Sequence, residues 1–238
     1  MKRLALVSVL ALSALPSASF GQLTFNAGGF SDYRYRGISQ TRLKPAVQAG
    51  VDYVAGGLYV GAWASSIKWI QDAGGNANAE IDLYGGYKGD IVKDSLTFDV
   101  GVLTYQYPSN NLATKAETTE VYGALTFGPA TLKYSHSVSN LFGFADSKGS
   151  GYLDLSATFE VGGLSLVPHL GYQKVSKSGS YSYTDYSLTV SKDFSGLVLS
   201  AAAVGTNTKK VAGGPAYVSP KGKDLGKAAL VLGVKYNF

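Results

Sequence analysis

Ala228-Ala229-Leu230-Val231-Leu232-Gly233-Val234-Lys235-Tyr236-Asn237-Phe238 closes the chain. Every second residue back from the end is apolar: Phe238, Tyr236, Val234, Leu232, Leu230. The alternate set, Asn237, Lys235, Gly233, Val231 and Ala229, is small or polar apart from Val231. A period of two is the signature of a strand with one greasy face and one wet face. A soluble sandwich can carry such a strand at its edge. A barrel in a bacterial outer membrane needs one at its end, because its last strand must close against its first and its aromatics sit at the membrane interface.

The same alternation runs back through the chain. Val47, Ala49, Val51 and Tyr53 oppose Gln48, Gly50 and Asp52. Ile81, Leu83 and Tyr87 oppose Glu80, Asp82 and Lys88, and Leu96, Phe98, Val100 and Val102 oppose Thr97 and Asp99. Val121 and Leu125 oppose Glu120, Leu132 and Tyr134 oppose Lys133, and Leu153 and Leu155 oppose Asp154. Leu164, Leu166, Leu170 and Tyr172 oppose Ser165, His169 and Gln173, with Pro168 predicting a bulge because proline cannot donate to the ladder. Tyr186, Leu188 and Val190 oppose Asp185, Ser187 and Thr189. The run from Leu197 to Val204 is apolar on both sides and leaves its orientation open. At the start, Leu23, Phe25 and Ala27 alternate, Phe30 breaks the pattern, and Tyr33 and Tyr35 carry it on, with Asp32, Arg34 and Arg36 on the wet face near the top of a first strand.

About twelve strands result. Short turns near Gly57, Gly89, Gly128, Gly163 and Ser195 alternate with long polar loops. This rhythm predicts an all-β, up-and-down antiparallel transmembrane β-barrel with short periplasmic turns and longer extracellular loops. A β-sandwich would give similar strand spacing but not that alternation.

Composition agrees. The chain has 238 residues, enough for one domain, and 16% charged residues, below the roughly 25% of soluble proteins. It is rich in Gly (30) and Tyr (17) and has no Cys, which excludes disulfides, thiolate metal sites and a Cys nucleophile. Lys2 and Arg3, an apolar run from Leu4 to Leu15, Pro16 and then small residues have the layout of a secretory signal peptide. The expected organisation is therefore a signal peptide over 1–21, cleaved after Gly21 or else Ser19, and a barrel over 22–238. Beyond the signal no run reaches the roughly 18 apolar residues of a spanning helix. The net charge is +5 with no clustered basic stripe, so no nucleic-acid partner is implied.

Ser31-Asp32-Tyr33-Arg34-Tyr35-Arg36-Gly37-Ile38-Ser39-Gln40-Thr41 and Pro45-Ala46-Val47-Gln48-Ala49-Gly50-Val51-Asp52-Tyr53 resemble the opening of the TorF-type porin family (Gcw_chp), proteobacterial exported proteins of similar length. Gly57-Leu58-Tyr59-Val60-Gly61-Ala62-Trp63-Ala64-Ser65, Glu80-Ile81-Asp82-Leu83-Tyr84-Gly85-Gly86-Tyr87 and Asp99-Val100-Gly101 through Tyr105-Gln106-Tyr107-Pro108 extend the resemblance, which is looser after Pro108. It implies an outer-membrane barrel and brings no assigned substrate or catalytic residue.

With the apolar faces toward lipid, Asp32, Arg34, Arg36, Asp52, Glu80, Asp82, Asp99, Glu120, Lys133, Asp154 and Lys235 become candidates to line a pore, with Lys88, His169 and Asp185 beside them. Asp52, Glu80 and Asp82 are the expected carboxylate partners of Arg34 and Arg36. Acids slightly outnumber bases, which points to a weak cation preference. Opposite charges can also pair across so narrow a barrel and fill it, leaving a structural or adhesive surface protein acting through its loops. Tyr53, Tyr87, Tyr105, Tyr107, Tyr134, Tyr172, Tyr236 and Phe238 are expected at the membrane interfaces. Loop residues Tyr181 and Tyr183 are candidates for an external ligand. The expected partners are outer-membrane lipid, small hydrophilic solutes, and the barrel-assembly machinery through the strand ending in Phe238. No cofactor or metal is expected: the two histidines lie on separate strands, and Ser135 and Ser137 flank His136 on the opposite strand face, which argues against a catalytic relay.

Overall fold

The computed structural model describes residues 21–238, so the expected signal peptide lies, but for its last residue Gly21, outside the described residues. Twelve antiparallel strands form a closed barrel: β1 (Gln22–Phe30), β2 (Ala46–Ala55), β3 (Leu58–Ser66), β4 (Ala79–Val92), β5 (Leu96–Gln106), β6 (Thr118–Phe127), β7 (Ala130–Ser137), β8 (Gly151–Ala157, continued by Phe159–Val161), β9 (Leu164–Lys174), β10 (Tyr183–Phe194), β11 (Leu197–Thr206) and β12 (Ala229–Asn237). Each strand pairs with its chain neighbours, and β1 pairs with β12 from Asn26↔Asn237 to Phe30↔Gly233. The five short turns and the ends of β1 and β12 share one rim. The six long connections share the other.

The alternation separates two environments. Leu83, Val102, Leu132, Leu155, Leu170, Leu188 and Leu232 stand exposed on the outer wall, while Glu80, Asp82, Ser135, Asp154, Ser165, Asp185 and Ser191 are buried on the inner one. An apolar exterior around a polar interior inverts a soluble domain and is the arrangement of a barrel that crosses a bilayer. Tyr53, Tyr87, Tyr236 and Phe238 point outward toward the short-turn rim, and Tyr134 and Tyr172 point outward toward the long-loop rim. Tyr107 does not join them, being 2% exposed with its hydroxyl on Glu80, and neither does Tyr105. It is 3% exposed and points inward, because it shares the face of Leu103 rather than that of Val100 and Val102.

Two further expectations are corrected and one open orientation is resolved. The first strand stops at Phe30, whose ring lines the interior, and Tyr33 and Tyr35 belong to the segment that follows. Pro168 makes no bulge: β9 keeps its register with β10 through Pro168↔Leu188. The missing N–H coincides instead with the interruption of β8 at Thr158, opposite Val167 and Pro168. The register shift among the paired strands lies between Asp90 and Val92 in β4. The ambiguous strand β11 resolves with Ser200, Ala202 and Val204 inward and Leu197 and Leu199 outward.

The excess of Gly and Tyr has a packing cause. Inside the wall, Tyr59 covers Gly86, Tyr84 covers Gly61, Tyr122 covers Gly101 and Tyr152 covers Gly171, each so closely that a Cβ on the glycine would collide with the phenol. Outside, Tyr134 covers Gly151 and Tyr186 covers Gly205 in the same way. The ring occupies the space of the missing side chain and restores apolar contact to a residue that otherwise weakens a strand.

Two outcomes check this fold. Gly101→Val should lower barrel stability by about 1–3 kcal/mol, read as a lower urea midpoint for the folded band on unheated gels. Leu188→Arg on the outer wall should cost about 2–4 kcal/mol, read in the same assay, whereas Ser187→Arg, facing the lumen, should change the midpoint far less.

Candidate functional site

The connection between β1 and β2, residues 31–45, does not stand out in solvent. It folds into the barrel mouth. Arg36 reaches strands far around the wall from β1: its Nη2 donates to Glu120 Oε2 on β6 at 2.6 Å and its Nη1 to Gln173 Oε1 on β9 at 2.6 Å. Its guanidinium also lies over the Tyr152 ring, 4.2 Å from the centroid. The Tyr35 hydroxyl donates to Tyr105 on β5 at 2.7 Å. The Tyr33 hydroxyl donates to Glu80 Oε1 on β4 at 2.5 Å. One short segment thus touches β4, β5, β6 and β9 and must cross the lumen.

Its own fold turns on Asp32. That carboxylate accepts from Ser39 Oγ (2.6 Å), Thr41 Oγ1 (2.9 Å) and Arg34 Nε (2.6 Å). A two-residue pairing, Arg34–Tyr35 with Ile38–Ser39, makes the tip a small hairpin around Gly37. Arg34 Nη1 caps the carbonyls of Gly37 and Leu225, tying the hairpin to the loop before β12. Three non-glycine residues, Arg36, Arg42 and Leu43, hold positive φ of 46°, 60° and 61°. Such conformations cost on the order of 1–3 kcal/mol each, so the ion pair of Arg36 with Glu120 (7% and 1% exposed side chains) helps to hold a segment that the backbone alone would release.

The structure places the predicted charges as follows. Asp32, Arg34, Arg36, Asp52, Asp82, Lys133, Asp154 and Lys235 line one central cavity of about 380 Å³, together with His169 and Asp185. Asp99 faces inward lower down and accepts from Tyr59 at 2.5 Å, as Asp52 accepts from Tyr84 at 2.5 Å. Glu80 and Glu120 line no open path. Each is 1% exposed and committed to the inserted segment. Glu80 accepts from both Tyr33 and Tyr107 (2.8 Å for the latter). Burial foremost, and then the Glu80 charge, push both phenols well above their ordinary range, so they stay protonated as donors. The partners of the two arginines are accordingly Asp32 and Glu120, not Asp52, Glu80 or Asp82.

Sequence reading missed a cluster on β8, β9 and β10. His169 Nε2 lies 2.8 Å from Asp154 Oδ2, its Nδ1 lies 3.6 Å from Asp185 Oδ1, and the Tyr152 hydroxyl bonds Asp185 at 3.0 Å. Inward parity of Asp154, His169 and Asp185 was legible; their common height on three strands was not. His136 points outward beside Tyr134, while Ser135 and Ser137 are buried inside, so no Ser–His pair forms there. Among the described residues no group of three or more His, Cys, Asp or Glu is arranged to hold a metal.

The lumen is therefore a polar chamber within an apolar wall, narrowed from the long-loop side by residues 31–45. Several known structures are similar to this chain at a low level. OprD from Pseudomonas aeruginosa is 16% identical with a TM-score of 0.39, matching 93% of this chain and 68% of its own. A mutant of the Rh. blastica porin is 12% identical with a TM-score of 0.39, over 81% of this chain and 55% of its own. The chain spans about half the length of that porin. No curated protein matches the chain. The bacterial family described as "Bacterial protein of unknown function (Gcw_chp)" matches residues 14–238. With nearly its whole length matched, the chain belongs to the Gcw_chp family.

Proposed function

We propose that this protein is an outer-membrane channel for passive diffusion of small hydrophilic solutes or ions, its path regulated in width by residues 31–45. One observation carries the reading: a cavity of about 380 Å³, lined by charged or histidine side chains from β2, β4, β7, β8, β9, β10 and β12 and from the inserted segment, lies inside a lipid-facing wall. Water and polar solutes can occupy such a lumen, and mixed charge lets ions enter without binding tightly. Asp32, Asp52, Asp82, Asp154 and Asp185 on the cavity wall stand against Arg34, Arg36, Lys133 and Lys235, with His169 among them. This slight excess of acids supports a weak cation preference. The Asp32, Arg34 and Arg36 group acts as the constriction, Asp52, Asp82, Lys133, Asp154 and Lys235 form the walls of the path, and Glu80 and Glu120 anchor the inserted segment.

Export by an N-terminal signal over 1–21 and delivery to the outer membrane belong to the same reading. So does recognition of the last strand by the barrel-assembly machinery, supported by the exposed, mutually packed rings of Tyr236 and Phe238, with centroids 4.9 Å apart. Removal of Phe238 should then lower the amount of folded barrel recovered from outer membranes, while refolding of the purified chain in detergent changes little.

A second reading is favoured by the packing of the inserted segment. Arg36, Tyr35 and Tyr33 together bridge the lumen, and a barrel kept shut by them would act as a structural or adhesive protein through its loops.

Single-channel recording of the refolded barrel in a planar bilayer separates the two. The channel reading expects discrete steps and a reversal potential slightly toward the cation side in a salt gradient. Glu120→Gln leaves the Arg36 guanidinium without its charge partner at a cost of about 3–5 kcal/mol, enough to shift the inserted segment's equilibrium by roughly a hundredfold or more. Conductance or open probability should therefore rise. A folded barrel that is silent in both forms would leave the closed, loop-acting protein.

A further inference from the structure

Strand register stacks three rows of outward-facing residues on β7, β8 and β9. At the long-loop rim, Gly151 of β8 pairs with His136 of β7 on one side and with Lys174 of β9 on the other. One outward position down, Leu153 pairs with Tyr134 and with Tyr172. One further down, Leu155 pairs with Leu132 and with Leu170. The phenols and leucines of the two lower rows stand exposed on the outer wall, and Lys174 is exposed above them. This part of the wall thus passes from a cation and an imidazole, through phenols, to hydrocarbon. On β5 and β6 the top of the outer face is the uncharged pair Thr104 and Thr119, so the charge is local to β7–β9.

Gly151 leaves a gap in the top row. The Tyr134 ring folds over it, so closely that a Cβ there would meet the phenol oxygen at 2.5 Å. That hydroxyl also stands 3.4 Å from His136 Nδ1. With neighbouring strands about 4.8 Å apart, the His136 and Lys174 backbones are about 10 Å apart across the gap. Two loops meet above this row. A Cβ on Gly149 would lie 4.0 Å from His136 Cε1 and 3.9 Å from Ser176 Oγ, and the Ser176 N–H donates to Ser150 Oγ at 3.0 Å. Lys148 and Lys177, the chain neighbours of Gly149 and Ser176, are exposed. Loops 138–150 and 175–182 hold one acid between them, Asp146. Lys148, Lys174 and Lys177 form no ion pair among the described residues.

We propose that this outer face is a docking site for a lipid that carries two phosphates on one headgroup above several acyl chains, as a bisphosphorylated glucosamine lipid does. The inference rests on the outer-membrane placement, with the long-loop rim outward. One phosphate lies over Gly151, where Lys174 offsets its charge and the His136 imidazole and Tyr134 hydroxyl donate to it. The second meets Lys148 and Lys177. The acyl chains run down the wall over Leu153, Leu155, Leu132 and Leu170, and Tyr134 and Tyr172 sit at the boundary between headgroup and chain, where amphipathic rings are favoured. Three ammonium groups against one acid exceed what a single phosphate offsets. A choline headgroup is disfavoured, because its own cation would approach the lysines. Free phosphate shares the ionic contacts but forfeits the apolar ones along the wall.

Native mass spectrometry of the refolded barrel in detergent micelles, titrated with lipid A, tests this, and it needs no conductance. A saturable adduct is expected, weaker with monophosphoryl lipid A, weaker still with phosphatidylcholine, and not displaced by excess inorganic phosphate. Lys174→Gln and Lys177→Gln should each weaken the lipid A adduct about fivefold, the order of one lysine's attraction to an anionic lipid surface. Should either variant fail to fold, Lys148→Gln takes its place with the same expectation. Lys93→Gln, in a tight turn at the opposite rim, should leave the adduct unchanged. Equal binding of lipid A and phosphatidylcholine, displacement by inorganic phosphate, unchanged affinity in both lysine variants of the site, or an equal loss in Lys93→Gln would overturn the proposal. A barrel that conducts yet shows no preference for lipid A would remove this site and leave the channel reading standing. One that binds lipid A yet never conducts would do the reverse.

Discussion

A lipid bilayer offers no hydrogen-bond partner to a peptide group, and that constraint governs this structure. Each strand must be paired on both sides, so the sheet can end only by meeting itself, which it does where β12 joins β1. Closure creates an inside and an outside, and the period of two along every strand then assigns each residue to one of them. The apolar alternates face outward because the solvent there is hydrocarbon. The ionisable alternates face inward because mid-bilayer exposure would be costly. The lumen is therefore polar as a consequence of how the wall is satisfied, and its charges become available for use.

What the interior does with those charges depends on residues 31–45. Lumen carboxylates left facing one another would repel, and isolated ones would carry desolvation cost. The inserted hairpin brings Arg34 and Arg36 into that field, where Asp32 and Glu120 pair with them at 2.6 Å in each case. The phenols of Tyr33 and Tyr107 cover Glu80 from two sides. Constriction and neutralisation are thus the same event: the segment that narrows the path also makes the buried acids tolerable. The wall contributes through its glycines, which let Tyr59, Tyr84 and Tyr122 lie flat along the lower interior and carry hydroxyls to Asp99 and Asp52.

The strands were legible because each satisfies two neighbours with the same local rule. Val47 to Tyr53, Leu96 to Val102 and Leu230 to Phe238 announce their orientation without any tertiary information. The inserted segment was harder because its apolar residues also fall on alternate positions. Tyr33 and Tyr35 continue the parity of Leu23 and Phe25 and so read as more strand, while the true stop is Ser31, whose amide still bonds to Leu232. A usable signal was present. A solvent-exposed loop has little reason to hold Tyr33, Tyr35, Ile38 and Leu43 among arginines, whereas a loop that packs inside does. Tyr105 misled for the related reason that an aromatic near a strand end suits a girdle and a lumen equally, and only counting parity from Val102 distinguishes them. The meeting of Asp154, His169 and Asp185 depends on the stagger between strands, which no single strand's pattern contains.

The meander has a kinetic corollary. Eleven of the twelve strand interfaces join segments adjacent in sequence and can zip from local hairpins. The twelfth joins the two extremes of the barrel, so its loop-closure entropy is the largest and it cannot form before β12 is complete. Until then β1 and β12 present unpaired edges, the feature most prone to join a foreign strand. The order of assembly is thereby set by the topology itself: hairpins first, and the seam between the chain's first and last strands at the end.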